Sequence, residues 1–373
     1  MAPAWTVSPA AWHNNWQRAV TDIAEEYTQG RPKVITKVRV EDAIGMTLAH
    51  DVTKLVPGKF KGPAFRRGHV IRRDDIPELL NIGKEHVTIL SLEEGEVHED
   101  EAAQRMAAAI MGPGLKRSAP SEGRVDLTTT LEGVTKINVS ALQQINLLGG
   151  LIVATVHDET VCKEGTCVAG MRIIPLCIRE EVLTSFEHIA RENRPVISVV
   201  PIKLRKIGLI ITGNEVSKGR IEDRFSPILH AKVEALGCMV NNETIVPDDA
   251  DSIAGAILDF QAKGTEVILC SSGMSVDPDD ATPDGIRRSG ANVRFYGLPV
   301  LPGAMFLYAN LRGTHILGVP ACVLHSRTTA LDRLLPVILT GEELTFEDTR
   351  RLAHGGLCLK CEQCAYPVCP FCK

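Results

Sequence analysis

The stretch VILCSSGMSVDPDDATPDGIRR, residues 267–288, interrupts an apolar run at Ser271, Ser272 and Gly273 and continues through Met274 and Ser275. It then sets Asp277, Asp279 and Asp280 within four positions. Small side chains and hydroxyls leave the backbone open to a ligand's oxygens. Thr282 and Pro283 read as the N-cap and first residue of a helix that would aim further amides at the same place. An upstream stretch, TGNEVSKGRIED, offers Thr212, Gly213 and Asn214 for close backbone approach, then Glu215 and, near a helix start, Asp223. A carboxylate and an anionic ligand repel unless a cation stands between them. Mg²⁺ suits that place, since it takes oxygen ligands from one or two carboxylates beside ligand phosphates. Asp223, Asp277, Asp279 and Asp280 are its candidate ligands. The competing account is that these aspartates only cap helices and fill turns.

A third cluster closes the chain. Five of the eleven cysteines fall in the last sixteen residues, as Cys358-x2-Cys361-x2-Cys364-x4-Cys369-x2-Cys372. Thiols this dense in a reducing compartment are metal ligands more often than packing residues. Two C-x2-C pairs, Cys358/Cys361 and Cys369/Cys372, would close a tetrahedral Zn²⁺ site and leave Cys364 over. Alternatively, C-x2-C-x2-C followed by C-P has iron–sulfur spacing with one residue more in its last gap. A redox-active tail without metal is the third option. The other six cysteines sit in apolar contexts and are expected to be buried, reduced thiols.

The elements that must position the first two stretches alternate regularly. KIGLIIT, CMVNNETIV and EVILC read as buried strands. Between them lie a helix opened at Ser226-Pro227 and stopped by Gly237, and a second ending at Gly264. ANVRFYGL, AMFLYAN and THILGV supply more strands, and a helix is expected over Leu324 to Leu339. Strand–helix alternation of this length predicts an α/β fold, a mostly parallel sheet covered by helices on both faces. Ligands on such sheets bind beyond the carboxyl ends of strands, where both stretches lie. The division expected is a helical strap over 1–33 with Trp5, Trp12 and Trp16, an α+β region over 34–205 of one or two subdomains, the α/β domain over 206–345, and the cysteine tail over 346–373. Gly112 to Gly123 reads as a linker, and Ser140 to Gln143 fits a capping box.

Composition narrows the function classes. A net charge of −5 gives no global basic field, and aromatics at 4% argue against stacking platforms, so nucleic acid is not an expected partner. Arg66, Arg67, Arg72 and Arg73 cluster but read as solvated surface. No run reaches the ~18 apolar residues of a membrane span, and the first twenty residues lack a basic-then-apolar leader. The expected compartment is the cytoplasm, with no membrane partner. Phosphate-loop, zinc-protease and nucleophile-elbow motifs are absent.

From Lys206 to about Leu339 the chain resembles the molybdopterin-binding domain of molybdopterin molybdotransferases and adenylyltransferases. TGNEV, GRIED, SSGMSVDPDD, LPGA and GVPA stand where that family has T-G-[DN]-E, G-x-I-x-D, S-G-G-[VM]-S-V-G-x-x-D, P-G and G-[LV]-P. VEDAIGMTLAHDV and FRRGHVIRRDDIPELLNIGKEHVTIL are similar to the molybdotransferase N-terminal region. The resemblance implies molybdopterin, or its adenylylated form, as ligand. Glu215 and Asp223 would serve its phosphate and metal side, Ser271 to Ser275 would cradle it, and Asp280 would take the metal-handling carboxylate position. Pro302 and Gly303 match the P-G. It also implies a homo-oligomer and a molybdoenzyme as recipient. Ser272 and Asp277 replace family glycines, and Pro302-Gly303-Ala304-Met305 lacks the lysine or arginine of P-G-[KR]-P. The reading therefore leans towards a molybdotransferase-like enzyme but leaves a non-catalytic binding or sensing protein open. DPDDATPDGI also resembles the P-x-P-D-D-x-T stretch of the competence- and damage-inducible family, metal-dependent nucleotide pyrophosphatases with the same fold, and this is the alternative.

Overall fold

The computed structural model describes residues 35–56, 60–90, 95–271, 274 and 280–372; the Trp5–Trp12–Trp16 segment lies outside them. The first unit holds β1 (Ile35–Arg39), β2 (Val52–Val56), β3 (Phe60–Phe65), α1 (Ile76–Asn81) and β4 (His86–Leu90), with β1 paired to β4 and β2 to β3. Its core is small, built on Val40, Leu48, Val52, Phe65, Ile71 and Leu79.

The second unit runs through β5 (Glu96–His98), α2 (Glu99–Ile110), β6 (Leu115–Arg117), β7 (Arg124–Thr129), β8 (Gly133–Ile137) and α3 (Val139–Asn146). It continues with β9 (Leu151–Thr155), β10 (Val161–Cys162), β11 (Cys167–Ile173), β12 (Cys177–Arg179), α4 (Glu180–Glu192) and β13 (Ile197–Pro201). An antiparallel sheet β6-β7-β11-β9 and a second, β10-β8-β13, share a separate core that includes Met106, Ile110, Leu127, Met171 and Phe186. Two sequence expectations change here. The Gly112–Gly123 stretch is not all linker, because Leu115 is buried and β6 pairs with β7. Helix α3 is capped not by Ser140 but by Asn138, whose Oδ1 accepts from the Ala141 amide at 3.0 Å.

The third unit contains β14 (Lys206–Thr212), α5 (Asn214–Ser217), α6 (Phe225–Glu234), β15 (Met239–Val246), α7 (Ala250–Ala262), β16 (Val267–Ser271) and α8 (Thr282–Arg288). It closes with β17 (Asn292–Tyr296), β18 (Leu307–Leu311), β19 (Thr314–Val319), α9 (Ala330–Leu339) and α10 (Phe346–Arg350). The sheet order is β15-β14-β16-β19-β18-β17. The first four strands are parallel, while β18 and β17 add antiparallel at the edge. Alternate residues of β14 explain the two covered faces. Ile207, Leu209 and Ile211 pack with α6 and α9, whereas Ile210 packs with Ile253, Ile257 and Phe260 of α7 and Ile286 of α8. Each such fully buried aliphatic side chain contributes about 2 kcal/mol.

The last long helix starts later than its apolar pattern suggests. A short turn over Ala321–Leu324 intervenes, and α9 begins behind a capping box in which Thr329 and Asp332 satisfy each other's backbone amides. Pro336 sits inside α9 and cannot donate to the Asp332 carbonyl four residues back. The Tyr366 hydroxyl of the tail donates to that carbonyl instead, at 3.1 Å.

Candidate functional site

The strand order reverses at β14 and β16. From β14 the chain crosses to β15 on one side; from β15 it returns past β14 to β16 on the other. Adjacent parallel strands whose connections leave in opposite directions open a crevice at their carboxyl ends. Ile211 is in register with Ser271, and Ser271 with Val319, so the ends of β14, β16 and β19 lie side by side. Thr212, Ser271 and Thr282 are all buried there, and the Thr212 and Thr282 hydroxyl oxygens are 3.4 Å apart. The buried Ser271 Oγ has no hydrogen-bond partner among the described residues. A buried hydroxyl without a partner is costly, so an orphan at a strand end marks a place where something else can supply one.

The remaining expected residues fall into three groups. Ser272, Gly273, Ser275, Asp277 and Asp279 lie outside the described residues, as does the Glu215 side chain on α5. Asp223 does what the competing account proposed for it, at least with one oxygen. Its Oδ1 accepts from the Phe225 and Ser226 amides at 2.7 and 3.3 Å and caps α6. Asp280 is half-exposed and close enough to Tyr296 to act on its hydroxyl, whose pKa burial raises first and the Asp280 charge raises further.

One assignment needs correction, and two residues have packing roles. Thr282 is not an N-cap: α8 starts at Thr282 itself, behind Ala281, and the hydroxyl turns to Thr212. The Met274 side chain packs inward. It is buried against Gly318 of β19, where a side chain's Cβ would stand 2.8 Å from the Met274 methyl carbon. Gly303 has a packing reason of its own, since a Cβ there would lie 2.5 Å from that of Ala330 at the head of α9. The Pro302 carbonyl accepts from the Ala330 amide. The Pro302–Gly303 turn is therefore seated on α9.

The tail thiols are all unpaired. Cys372 is buried in the core beside Phe371, and Cys364 is exposed. Of the six earlier cysteines, Cys162, Cys238 and Cys270 are buried as expected, and burial pushes the Cys270 thiol up to about 12. Cys167 is exposed on β11.

Sequence reasoning missed two sites. His98, Glu99 and Asp100 are the one group of metal-capable side chains gathered among the described residues. Both ring nitrogens of His98 are engaged, however, Nε2 with the Ala49 carbonyl at 3.1 Å and Nδ1 with the Asp100 amide at 3.2 Å. The group therefore has no free imidazole to offer a metal. The neighbouring charged cavity, of about 860 Å³, includes Arg66 and Arg67. Arg67 pairs with Asp100 and donates its amide to Asp51, so it is not merely solvated. The second site is Glu159, with a side chain only 5% exposed, which meets Lys136, Arg333 and Arg351 at 3.3, 2.5 and 3.0 Å. Burial works to raise its pKa, and the three cations together overcome that and hold it low. Periodicity gives no signal for such a hub, because its members come from three separate segments.

The sheet has its switch point between β14 and β16, and the comparisons relate this part of the chain to known proteins. Residues 208–340 match the family described as "Probable molybdopterin binding domain". Residues 37–91 match a second family, "Domain of unknown function (DUF8806)". The molybdopterin molybdenumtransferase of Synechococcus elongatus is 27% identical over 148 residues, which are 38% of this chain and 34% of that protein. A CinA-like protein of Anaeromyxobacter dehalogenans is 34% identical over 79 residues, 21% of this chain and 19% of that protein. The chain thus spans about a third or less of the length of these curated relatives. Among solved structures, the molybdopterin biosynthesis enzyme MoaB of Thermus thermophilus is 20% identical, with 37% of this chain and 98% of that one covered at a TM-score of 0.33. A molybdenum cofactor biosynthesis protein of Pyrococcus furiosus is 12% identical over 87% of this chain and 70% of that one, at 0.26. The fold is defined by the strand order rather than by these superpositions. Among the described residues no helix is long and apolar enough to cross a membrane.

Proposed function

We propose that this protein binds molybdopterin, or its adenylylated form, together with Mg²⁺ in the crevice beyond β14 and β16, and that it takes part in assembling or inserting the molybdenum cofactor. The observation that supports this most is the unpartnered Ser271 hydroxyl beside the Thr212–Thr282 contact, within a segment of the molybdopterin-binding family. In this reading Thr212 to Asn214 and Ser271 to Ser275 receive the ligand's anionic oxygens through amides and hydroxyls. Asp280, with Asp277 and Asp279, offers oxygen ligands to the cation. Asp223 has already committed one oxygen to α6, so it contributes at most the other. Mg²⁺, when bound, would offset the repulsion between these carboxylates and the ligand phosphate. The chain's own part is to orient the ligand and exclude water.

The reaction class proposed is that of a molybdopterin molybdotransferase. Ala304 and Met305 supply no charge where a transferred oxyanion would want one, and this keeps a purely binding or sensing role as its rival. A metal-dependent nucleotide pyrophosphatase is the second reading. It is favoured by the reach of Thr282, in Asp279-Asp280-Ala281-Thr282, to Thr212, and by the similarity to CinA-like chains.

The test presents the purified protein and Mg²⁺ with molybdopterin, with adenylylated molybdopterin plus molybdate, and with ADP-ribose. Turnover of the second is the expected result. Binding without turnover selects the sensing role, and hydrolysis of ADP-ribose overturns the molybdopterin reading.

A further inference from the structure

The tail carries a separate site. Cys358, Cys361, Cys364 and Cys369 line one cavity of about 360 Å³, whose far wall includes Pro302 and Thr328. Cys372 is absent from that lining; it is 3% exposed in the core cluster against which Cys358 and Cys369 also pack, and its carbonyl accepts from Arg333 Nε at 3.1 Å. Four thiols thus line the cavity and the fifth lies buried behind it.

Two of the four already receive hydrogen bonds suited to bound sulfur. The Lys360 amide donates to Cys358 Sγ at 3.5 Å, from a residue held at φ +52°. That left-handed conformation costs a non-glycine residue about 1 kcal/mol, and here it aims an N–H at a sulfur two residues back. The Thr328 hydroxyl lies 3.1 Å from Cys364 Sγ. Donors directed at sulfur are the outer-shell contacts that orient thiolate ligands and stabilise their charge.

The spacing of the thiols in space then discriminates between metals. Zn²⁺ with sulfurs at 2.3 Å in a tetrahedron requires S···S edges of about 3.8 Å. No three sulfurs of the tail, all of them among the described residues, lie within 4.8 Å of one another. A polynuclear cluster answers this, because its corner irons keep the thiolates apart. The run C-x2-C-x2-C with a later C-P, here Cys369-Pro370, has the residue order of such sites.

We propose that Cys358, Cys361, Cys364 and Cys369 bind an iron–sulfur cluster against the Pro302–Gly303 turn, and that Cys372 is a packing residue. Two ferrous irons, two ferric irons and four sulfides combine with the four thiols, which release four protons as they become thiolates, so assembly needs no further oxidant. The proposal does not depend on which ligand the α/β crevice takes.

Full-length protein, reconstituted without oxygen from equal amounts of ferrous and ferric iron with sulfide, is analysed for iron, acid-labile sulfide and visible charge-transfer absorption. About four irons and four sulfides per chain are expected. Cys361→Ser, at an exposed position, should lower iron content about tenfold or more while leaving the unfolding transition in place. Cys364→Ser should do the same, and Cys372→Ser should retain the cluster. About one zinc per chain without sulfide, no bound metal, or iron lost in Cys372→Ser but kept in Cys361→Ser would each overturn the assignment.

Discussion

Replacing Ser271 by alanine separates a ligand-binding role from a structural one, because the two roles predict opposite changes in stability. The Ser271 hydroxyl is fully buried and has no partner among the described residues. An unsatisfied buried polar group carries a penalty of about 1–3 kcal/mol. Removing the oxygen lifts that penalty and loses a few dispersion contacts, so the free variant should be more stable by about 1 kcal/mol. In the complex the same hydroxyl would donate to an anionic oxygen, a bond worth about 1.5–3 kcal/mol. Affinity for molybdopterin should then fall about 10- to 150-fold. The affinity loss includes the relief gained by the free state, so the two measurements share one cause and must move together. Urea unfolding of the free proteins gives the first quantity, and calorimetric titration with molybdopterin and Mg²⁺ the second. A variant less stable than the parent by more than about 1 kcal/mol, with unchanged affinity, would show that the hydroxyl serves the fold and would refute the reasoning.

Three further outcomes follow from named contacts. Asp280→Ala should abolish the Mg²⁺ dependence of ligand binding and leave the unfolding midpoint unmoved; unaltered affinity with and without Mg²⁺ would place the cation elsewhere. Tyr366→Phe should cost about 1–2 kcal/mol in urea unfolding, because it orphans the Asp332 carbonyl that Pro336 cannot serve. A stability equal to the parent's would mean that water serves that carbonyl instead. Glu159→Gln should cost about 3 kcal/mol at neutral pH, since it leaves the nearly buried Arg333 charge unbalanced. Glu159's folded-state pKa is depressed, so its stabilisation is present above the unfolded value of about 4.3 and is lost as pH falls through the lower folded value. Parent stability should accordingly drop below about pH 4.3 more steeply than that of the variant, and parallel acid limbs in urea titrations would contradict this.

The α/β unit was legible because burial and chain direction leave marks in sequence. The strands KIGLIIT and EVILC are continuous apolar runs because helices cover both their faces, and each ends at Thr212 or Ser271 where polar residues take over. The neighbouring placement of those two ends depends on β15 lying on the far side of β14, a strand order that alternation does not fix. What failed was local chemistry decided by tertiary partners. Thr282 had the residue type of a cap, yet Thr212 was a partner no local pattern could reveal. Met274 lay in a polar loop motif, yet Gly318 left a hollow that only a long apolar side chain fills. Asn138 displaced Ser140 as a cap because both suit the role and only the exit angle of β8 decides between them. In the tail, the cysteine spacing carried no sign that Phe371 and Cys372 insert into the core.

That insertion gives the first turns of α9 a connecting role that none of the units has alone. Ala330 closes on Gly303, fixing the turn that walls the thiol cavity. Asp332 caps the helix, pairs with Lys232 of α6 at 2.5 Å and offers its carbonyl to Tyr366. Arg333 reaches the Cys372 carbonyl on one side and Glu159 of the second unit on the other. Ala330, Asp332 and Arg333 thus tie the cavity, the sheet's covering helix, the tail and the preceding unit to one short stretch of backbone. The Thr329–Asp332 capping box fixes where that stretch begins. A start one residue later would turn these side chains by about 100° around the helix axis and lose their side-chain contacts together. The cap and the metal-type tail therefore belong to one arrangement, in which helix register sets the position of the thiols relative to the α/β domain.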